Sequence, residues 1–306
     1  MRLLTEVPYP DLPSSFDVGP LTVYWYGVMY AVGFLLAWVL GTVLAKRAGS
    51  GWSADQVSDL ILYSIVGVVV GGRLGYTLFY GLENAVADPV SVLRIYEGGM
   101  SFHGGLLGVL VALWVYARRA RRSFFAVSDF VAPLVPPGLF FGRIGNFINA
   151  ELWGKETAVP WGMVFPGAGD EPRHPTMLYE ALLEGLLLFG VLWWYTRRKP
   201  PVRAVSGLFL LLYGVIRVLV EFLRVPDAHL GYLALEWVTM GQVLSAPMVV
   251  VGGYLLWSAH RKPSTIDPPG AARDRGQAHP DKSVKRVRHV RGGRDAAHRT
   301  VHRSRG

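Results

Sequence analysis

The residues best able to do chemistry gather in one stretch, Gly142 to Gly154, which reads G-R-I-G-N-F-I-N-A-E-L-W-G. Arg143, Asn146 and Glu151 stand there at the end of a strongly apolar segment. A cation, amides and a carboxylate are costly in or beside hydrocarbon, so such a group marks a functional site facing a bundle interior or a watery cavity. A second group lies further on. Tyr213, Arg217 and Glu221 recur at i, i+4 and i+8 and share one helix face, with Arg224 three residues beyond. Arg217 and Glu221 can pair, which offsets part of the cost of burying each; a structural ion pair that locks the helix is the plain alternative. Arg143, on another helix, changes that weighing. Two or three fixed guanidiniums at one depth need an anionic partner, and a phosphate held bidentately is the natural one.

His103 sits in E-G-G-M-S-F-H-G-G, from Glu97 to Gly105, where flanking glycines open the backbone to close approach. Histidine is the side chain best suited to move a proton near neutral pH, although a lone histidine more often packs or hydrogen-bonds. His174-Pro175-Thr176 reads as a helix start, with Glu180 in the first turns. The chain has no cysteine. Disulfides, thiolate metal sites and a cysteine nucleophile are therefore excluded, and any thiol must come from a substrate. No HExxH, acidic metal cluster, GxSxG or P-loop is present, so neither a metal nor a cofactor is expected.

These residues must be positioned by membrane-spanning helices. The 306 residues are 51% hydrophobic and 17% charged, with a mean hydropathy of +0.31, which points to an all-α polytopic membrane protein. Apolar segments run at about 21–45, 57–80, 102–117, 125–148, 177–196, 205–223 and 240–259. Basic clusters at Lys46-Arg47, Arg118 to Arg122, Arg197 to Arg203 and Arg261-Lys262 fall at alternate connections, while acidic residues including Asp170 and Asp227 mark the others. The positive-inside rule then gives about seven transmembrane helices, the N-terminus outside and the C-terminus cytoplasmic. Residues 1–20 read as an extracytoplasmic segment without the apolar core of a cleavable signal, 21–260 as the catalytic membrane domain, and 261–306 as a basic, disordered cytoplasmic tail. That tail suits a solvated role; no specific nucleic acid is expected. Tyr24-Trp25-Tyr26 and Trp193-Trp194-Tyr195 read as interfacial anchors. Pro133 and Pro136-Pro137 predict a kink in the fourth helix, just before the polar cluster. G-R-L-G from Gly72 echoes G-R-I-G from Gly142, too short a match to establish a duplication and equally suited to close helix packing.

With that orientation Tyr26, His103, Arg143, Glu151, Arg217, Glu221, Arg224 and Arg73 all fall in the outer half. The motifs now resemble the prolipoprotein diacylglyceryl transferase family over about Pro10 to His260. The resemblance rests on G-G-M-S-F-H-G-G-L from Gly98, the Gly142 to Gly154 stretch, H-P-T-M-L-Y-E from His174, Y-G-V-I-R-V-L-V-E-F-L-R from Tyr213, and T-M-G-Q from Thr239. Met177 departs from the glutamine of many relatives. The resemblance implies a bacterial inner-membrane enzyme, active towards the outer leaflet. It would move the diacylglyceryl group of phosphatidylglycerol to the lipobox cysteine of a prolipoprotein signal peptide, giving a thioether and glycerol 1-phosphate. The family's important positions fall on Tyr26, His103, Arg143, Asn146, Glu151, Gly154, Tyr213, Arg217 and Glu221. In that reading Arg143 and Arg217 hold the lipid phosphate, His103 is the base, Asn146 and Glu151 orient, and Gly154 leaves room for a chain. The competing class is an anion or lipid transporter; against it, the polar groups lack a matching set near the cytoplasmic side.

Overall fold

Helix starts follow signals written in the sequence. A computed structural model describes residues 7–226 and 231–262. Ser53 and Gln56 form a reciprocal capping box that opens α2 (Ala54–Phe79), and Thr239 and Gln242 form another that opens α10 (Met240–Arg261). Ser101 caps α4 (Phe102–Arg119) and Ser123 caps α5 (Phe124–Val131) through the same kind of hydroxyl contact. The remaining helices are α1 (Trp25–Ala45), α3 (Leu82–Ala87), α6 (Val135–Ile148), α7 (Thr176–Glu180), α8 (Leu188–Thr196) and α9 (Ala204–Glu221).

Six helical stretches among the described residues are long and apolar enough to cross a membrane: α1, α2, residues 124–148, residues 176–196, α9 and α10. The protein is thus a polytopic helical membrane protein. The predicted third segment is present as α4, whose 18 residues span about 27 Å at the usual rise.

Three predicted spans carry irregularities. The first begins later than its apolar run, because, after the short strand β1 (Val7–Pro8), β2 (Ser15–Val18) pairs with β3 (Leu21–Tyr24), turned by Gly19 at φ +61°. The fourth is broken as its prolines require: α5 passes through a 3-10 turn at Ala132–Leu134 before α6 resumes. The fifth joins α7 to α8 through a π-helical stretch, Ala181–Leu187, that no apolar pattern announces.

Close packing follows glycine. Gly67, Gly71 and Gly75 of α2 face Gly104 and Gly108 of α4; a Cβ on Gly67 would lie 2.7 Å from the Gly108 carbonyl oxygen. Gly207 and Gly214 let α9 approach α10 equally closely. Asp129 of α5 caps α9 from outside it, accepting from the Arg203 and Ser206 amides at 2.6 and 2.8 Å.

Arg73 is buried and, among the described residues, pairs with no carboxylate. Its guanidinium donates to the carbonyls of Ser91, Val92, Arg94, Gly98 and Gly99, pinning the 89–99 connection to α2. Arg143 instead pairs with carboxylates, so the G-R-x-G echo does not extend to the surroundings of its arginine.

Candidate functional site

Three helices that run through the bundle bring three arginines against three glutamates. Arg143 comes from α6, Glu180 and Glu184 from α7 and the π stretch, and Arg217 and Glu221 from α9; Arg224 follows directly after α9. Glu180 is fully buried and central: Arg143 Nε lies 3.0 Å from its Oε2, Arg224 Nη1 lies 3.2 Å from its Oε1, and Arg217 Nη1 also contacts Oε1. Glu184, also fully buried, takes Arg143 and Arg217, each at 3.4 Å. Glu221 takes Arg217 and Arg224, again at 3.4 Å each. Formal charge therefore balances. The counter-charge that the sequence reading sought in a phosphate is already supplied by the protein's own carboxylates.

The π stretch accounts for part of this geometry. Its wider turn carries Glu184 beside Glu180 on the face toward α6 and α9, while Gly185 lets Phe140 of α6 close in; a Cβ there would meet Phe140 Cβ at 2.6 Å.

The network has two extensions. Asn146 Nδ2 donates to Glu151 Oε1 at 2.7 Å, with Arg143 Nη1 3.5 Å from Asn146 Oδ1. Glu151 is turned back toward α6 by left-handed residues on both sides, Ala150 at φ +52° and Leu152 at φ +62°. Backbone strain of this kind is a recurrent mark of functional sites. On the other side Thr239 Oγ1 donates to Glu221 Oε1 at 3.0 Å, so the capping residue of α10 also holds a network carboxylate. Gly241 completes that contact: a Cβ there would lie 2.6 Å from the Glu221 carboxyl carbon.

Other expected site residues surround this core at varying distance. The Tyr26 ring covers Gly145, where a Cβ would come within 2.9 Å of Tyr26 Cδ2, and so stands next to Asn146. Tyr213 lies one turn before Arg217 and stacks on Phe209 at 5.7 Å. Gly154 has no spare space. The Leu223 carbonyl oxygen is 2.5 Å from where its Cβ would be, and its backbone bridges to Arg224. Its missing side chain lets the chain carrying Arg224 approach, rather than leaving a channel. His103 is exposed on the first turn of α4, and among the described residues no hydrogen bond or ion pair joins it to the network.

The H-P-T segment departs from a simple cap. Thr176 is the first helical residue, and its hydroxyl donates to the Leu152 carbonyl at 2.8 Å. The Tyr179 hydroxyl accepts from Trp161 Nε1 at 2.7 Å and is 3.1 Å from His174 Nδ1, so its own proton is free to serve that nitrogen. Burial lowers the His174 pKa. Glu180 and Glu184 are the network members the sequence reading missed. Their signal was available: two carboxylates four residues apart inside L-Y-E-A-L-L-E-G-L-L-L-F.

Comparison with known proteins decides the family. The family model described as prolipoprotein diacylglyceryl transferase matches residues 13–258. The chain belongs to the prolipoprotein diacylglyceryl transferase family. Relatives bearing the name phosphatidylglycerol–prolipoprotein diacylglyceryl transferase include one from Nitratidesulfovibrio vulgaris Miyazaki F, 59% identical over 249 residues, covering 81% of this chain and 94% of the relative. Another, from Oleidesulfovibrio alaskensis, is 57% identical over 251 residues, 82% of this chain and 94% of its own. A third, from Coxiella burnetii RSA 331, is 55% identical over 254 residues, 83% of this chain and 97% of its own. The whole transferase-family match contains the arginine–glutamate network, whereas His260 and Arg261 fall just beyond it.

Proposed function

We propose that the protein transfers the diacylglyceryl group of phosphatidylglycerol to the cysteine thiol of a prolipoprotein signal peptide, at the outer leaflet of a bacterial inner membrane. The observation that carries this reading, beside the family, is the network that joins part-buried Arg143, Arg217 and Arg224 to buried Glu180, Glu184 and Glu221.

The peptide's thiol loses its proton, and the thiolate sulfur attacks the diacylglyceryl carbon bonded to the phosphate oxygen. A carbon–sulfur bond forms as that carbon–oxygen bond breaks. The electron pair leaves with the oxygen, so a monoanionic diester and a thiolate become a neutral thioether and dianionic glycerol 1-phosphate. Charge accumulates on the phosphate, and fixed guanidiniums stabilise it best where water is excluded. Arg143 and Arg217 are assigned that role. Their carboxylate partners keep the empty site neutral and hold each guanidinium in place, so little reorganisation is needed when phosphate arrives. Arg143 Nη1, only loosely matched by Asn146 at 3.5 Å, is the edge offered to a phosphate oxygen.

His103, open to an incoming peptide, is assigned the thiol proton, with Tyr26 or Tyr213 as assisting hydroxyls. Asn146 and Glu151 orient Arg143, and Glu221 holds Arg217. Gly154 acts through the placement of Arg224. Family membership replaces the transporter alternative.

The test uses purified protein, phosphatidylglycerol and a lipobox peptide, with a Cys→Ser peptide as control and mass spectrometry as readout. A cysteine-dependent diacylglyceryl thioether is expected. Arg143→Ala should slow transfer by about 10²-fold or more and weaken lipid binding as well. His103→Gln should cut transfer by about 10²-fold while lipid binding stays. Unchanged transfer in both variants would overturn these roles.

A further inference from the structure

A lateral groove of about 600 Å3 opens between α8, α9 and α10 at the end of α10 opposite the network. Thr239, at the start of α10, touches Glu221, whereas His260 and Arg261 close the helix about 30 Å away at the usual rise. Leu208 and Leu211 of α9 and Leu256 of α10 line the groove's apolar wall, and Trp257 and Arg261 stand at its mouth. Its polarity thus runs from hydrocarbon to cation along one direction.

The mouth is built rather than incidental. Arg261 lies over the Trp257 ring at 4.6 Å, which occupies the face of the guanidinium and leaves its N–H edges outward. No carboxylate pairs with Arg261 among the described residues, in contrast to the arginines of the network. His260 Nδ1 donates to the Leu256 carbonyl at 2.8 Å, which leaves Nε2 to accept from the Tyr195 hydroxyl at 3.2 Å. That contact fixes Tyr195 as the groove's other interfacial wall. Both α9 and α10 are free of acidic residues over their halves nearest this end. The nearby Asp129 has its oxygens taken by the Arg203 and Ser206 amides and the Ser206 hydroxyl. Four more arginines stack on tryptophans at the same end: Arg47, Arg118, Arg122 and Arg198. An unpaired guanidinium beside interfacial aromatics, above an apolar trough, complements a phosphate carried on a hydrocarbon chain.

We propose that this groove binds an anionic glycerophospholipid of the leaflet opposite the transferase site, its phosphate on Arg261 and one acyl chain along Leu208, Leu211 and Leu256. The site is distinct from the substrate site, so its ligand is a bound lipid and not a reactant.

The test is photolabelling of the full-length protein in nanodiscs of phosphatidylcholine, using phosphatidic acid with a diazirine in one acyl chain. Phosphatidic acid lacks the glycerol headgroup of the proposed substrate, which separates this site from that reading. Label is expected on peptides spanning 208–211 and 253–257, and Arg261→Gln should lower it about fivefold. Leu211→Trp, which fills the trough and leaves every charge in place, should lower it too, with unchanged thermal unfolding as the control for folding. Millimolar inorganic phosphate should not compete. Equal labelling by a phosphatidylcholine probe, no response to Arg261→Gln, or displacement by inorganic phosphate would each overturn the proposal.

Discussion

Glu180 faces three guanidiniums, and its removal is the sharpest test of the network at the level of single residues. Glu180→Gln keeps the shape but leaves three part-buried cations with two carboxylates. Breaking a buried ion pair by neutralising one side costs about 3–5 kcal/mol. The variant should therefore unfold at lower temperature in detergent and lose transfer activity, whereas an exposed pair such as Arg173–Glu156 should tolerate Glu156→Gln with little change. His174 gives a pH signature. Burial lowers its folded pKa below the ordinary 6.5, so the unfolded chain binds the proton first. Its contribution to stability falls as pH drops through that ordinary value, levels off below the folded pKa, and is recovered as pH rises. His174→Asn should flatten the corresponding part of a melting-temperature profile, and an unchanged profile would remove the assignment. Arg143, Arg217 and Glu221 were legible because charges interrupt apolar runs. Glu180 was hidden by reading its motif as a helix start, and the self-neutralising character of the cluster could not be seen before Glu184 was placed beside it.

Helices α2 and α4 touch through backbone, so side chains there act on the whole element. A Cβ on Gly75 would lie 2.7 Å from the Cα of Gly104, with no flexible side chain able to yield. Gly75→Ala should force the helices apart, cost about 1–3 kcal/mol by overpacking, and displace the first turn of α4 that carries His103. Gly190→Ala in α8, where nothing lies within 4 Å, is the matched control and should be neutral or slightly stabilising, since glycine disfavours helix interiors. Unfolding midpoints of the pair would show the contrast; equal midpoints would mean that the contact is not tight. At the opposite corner, Gly241→Ala should push α10 off the Glu221 carboxylate and lower transfer activity more than stability. The main apolar helices could be read from length and composition, and the proline break from residue type. The β2–β3 hairpin and the π stretch could not, because each is set by backbone hydrogen-bond register within an apolar run that looks continuous.

Across the described helices, the candidate site and the basic clusters sit at opposite ends. Network residues lie near the start of α7 and α10 and the end of α9, while Lys46-Arg47, Arg118-Arg119, Arg197-Arg198 and Arg261-Lys262 occupy the other helix ends. By the positive-inside rule we propose that the basic end faces the cytoplasm and the candidate transferase site the outside, where a signal peptide's cysteine emerges. Because the chain contains no cysteine, single introduced thiols report this directly. Glu83, in α3 just after α2, and Asp55, in the first turn of α2, are both exposed. In intact spheroplasts a membrane-impermeant maleimide should label the Glu83→Cys variant and spare Asp55→Cys, and permeabilisation should make the two equal. The reverse pattern would place the arginine–glutamate network on the cytoplasmic side, where a translocated cysteine could not reach it, and the transfer mechanism would need a different route to its thiol.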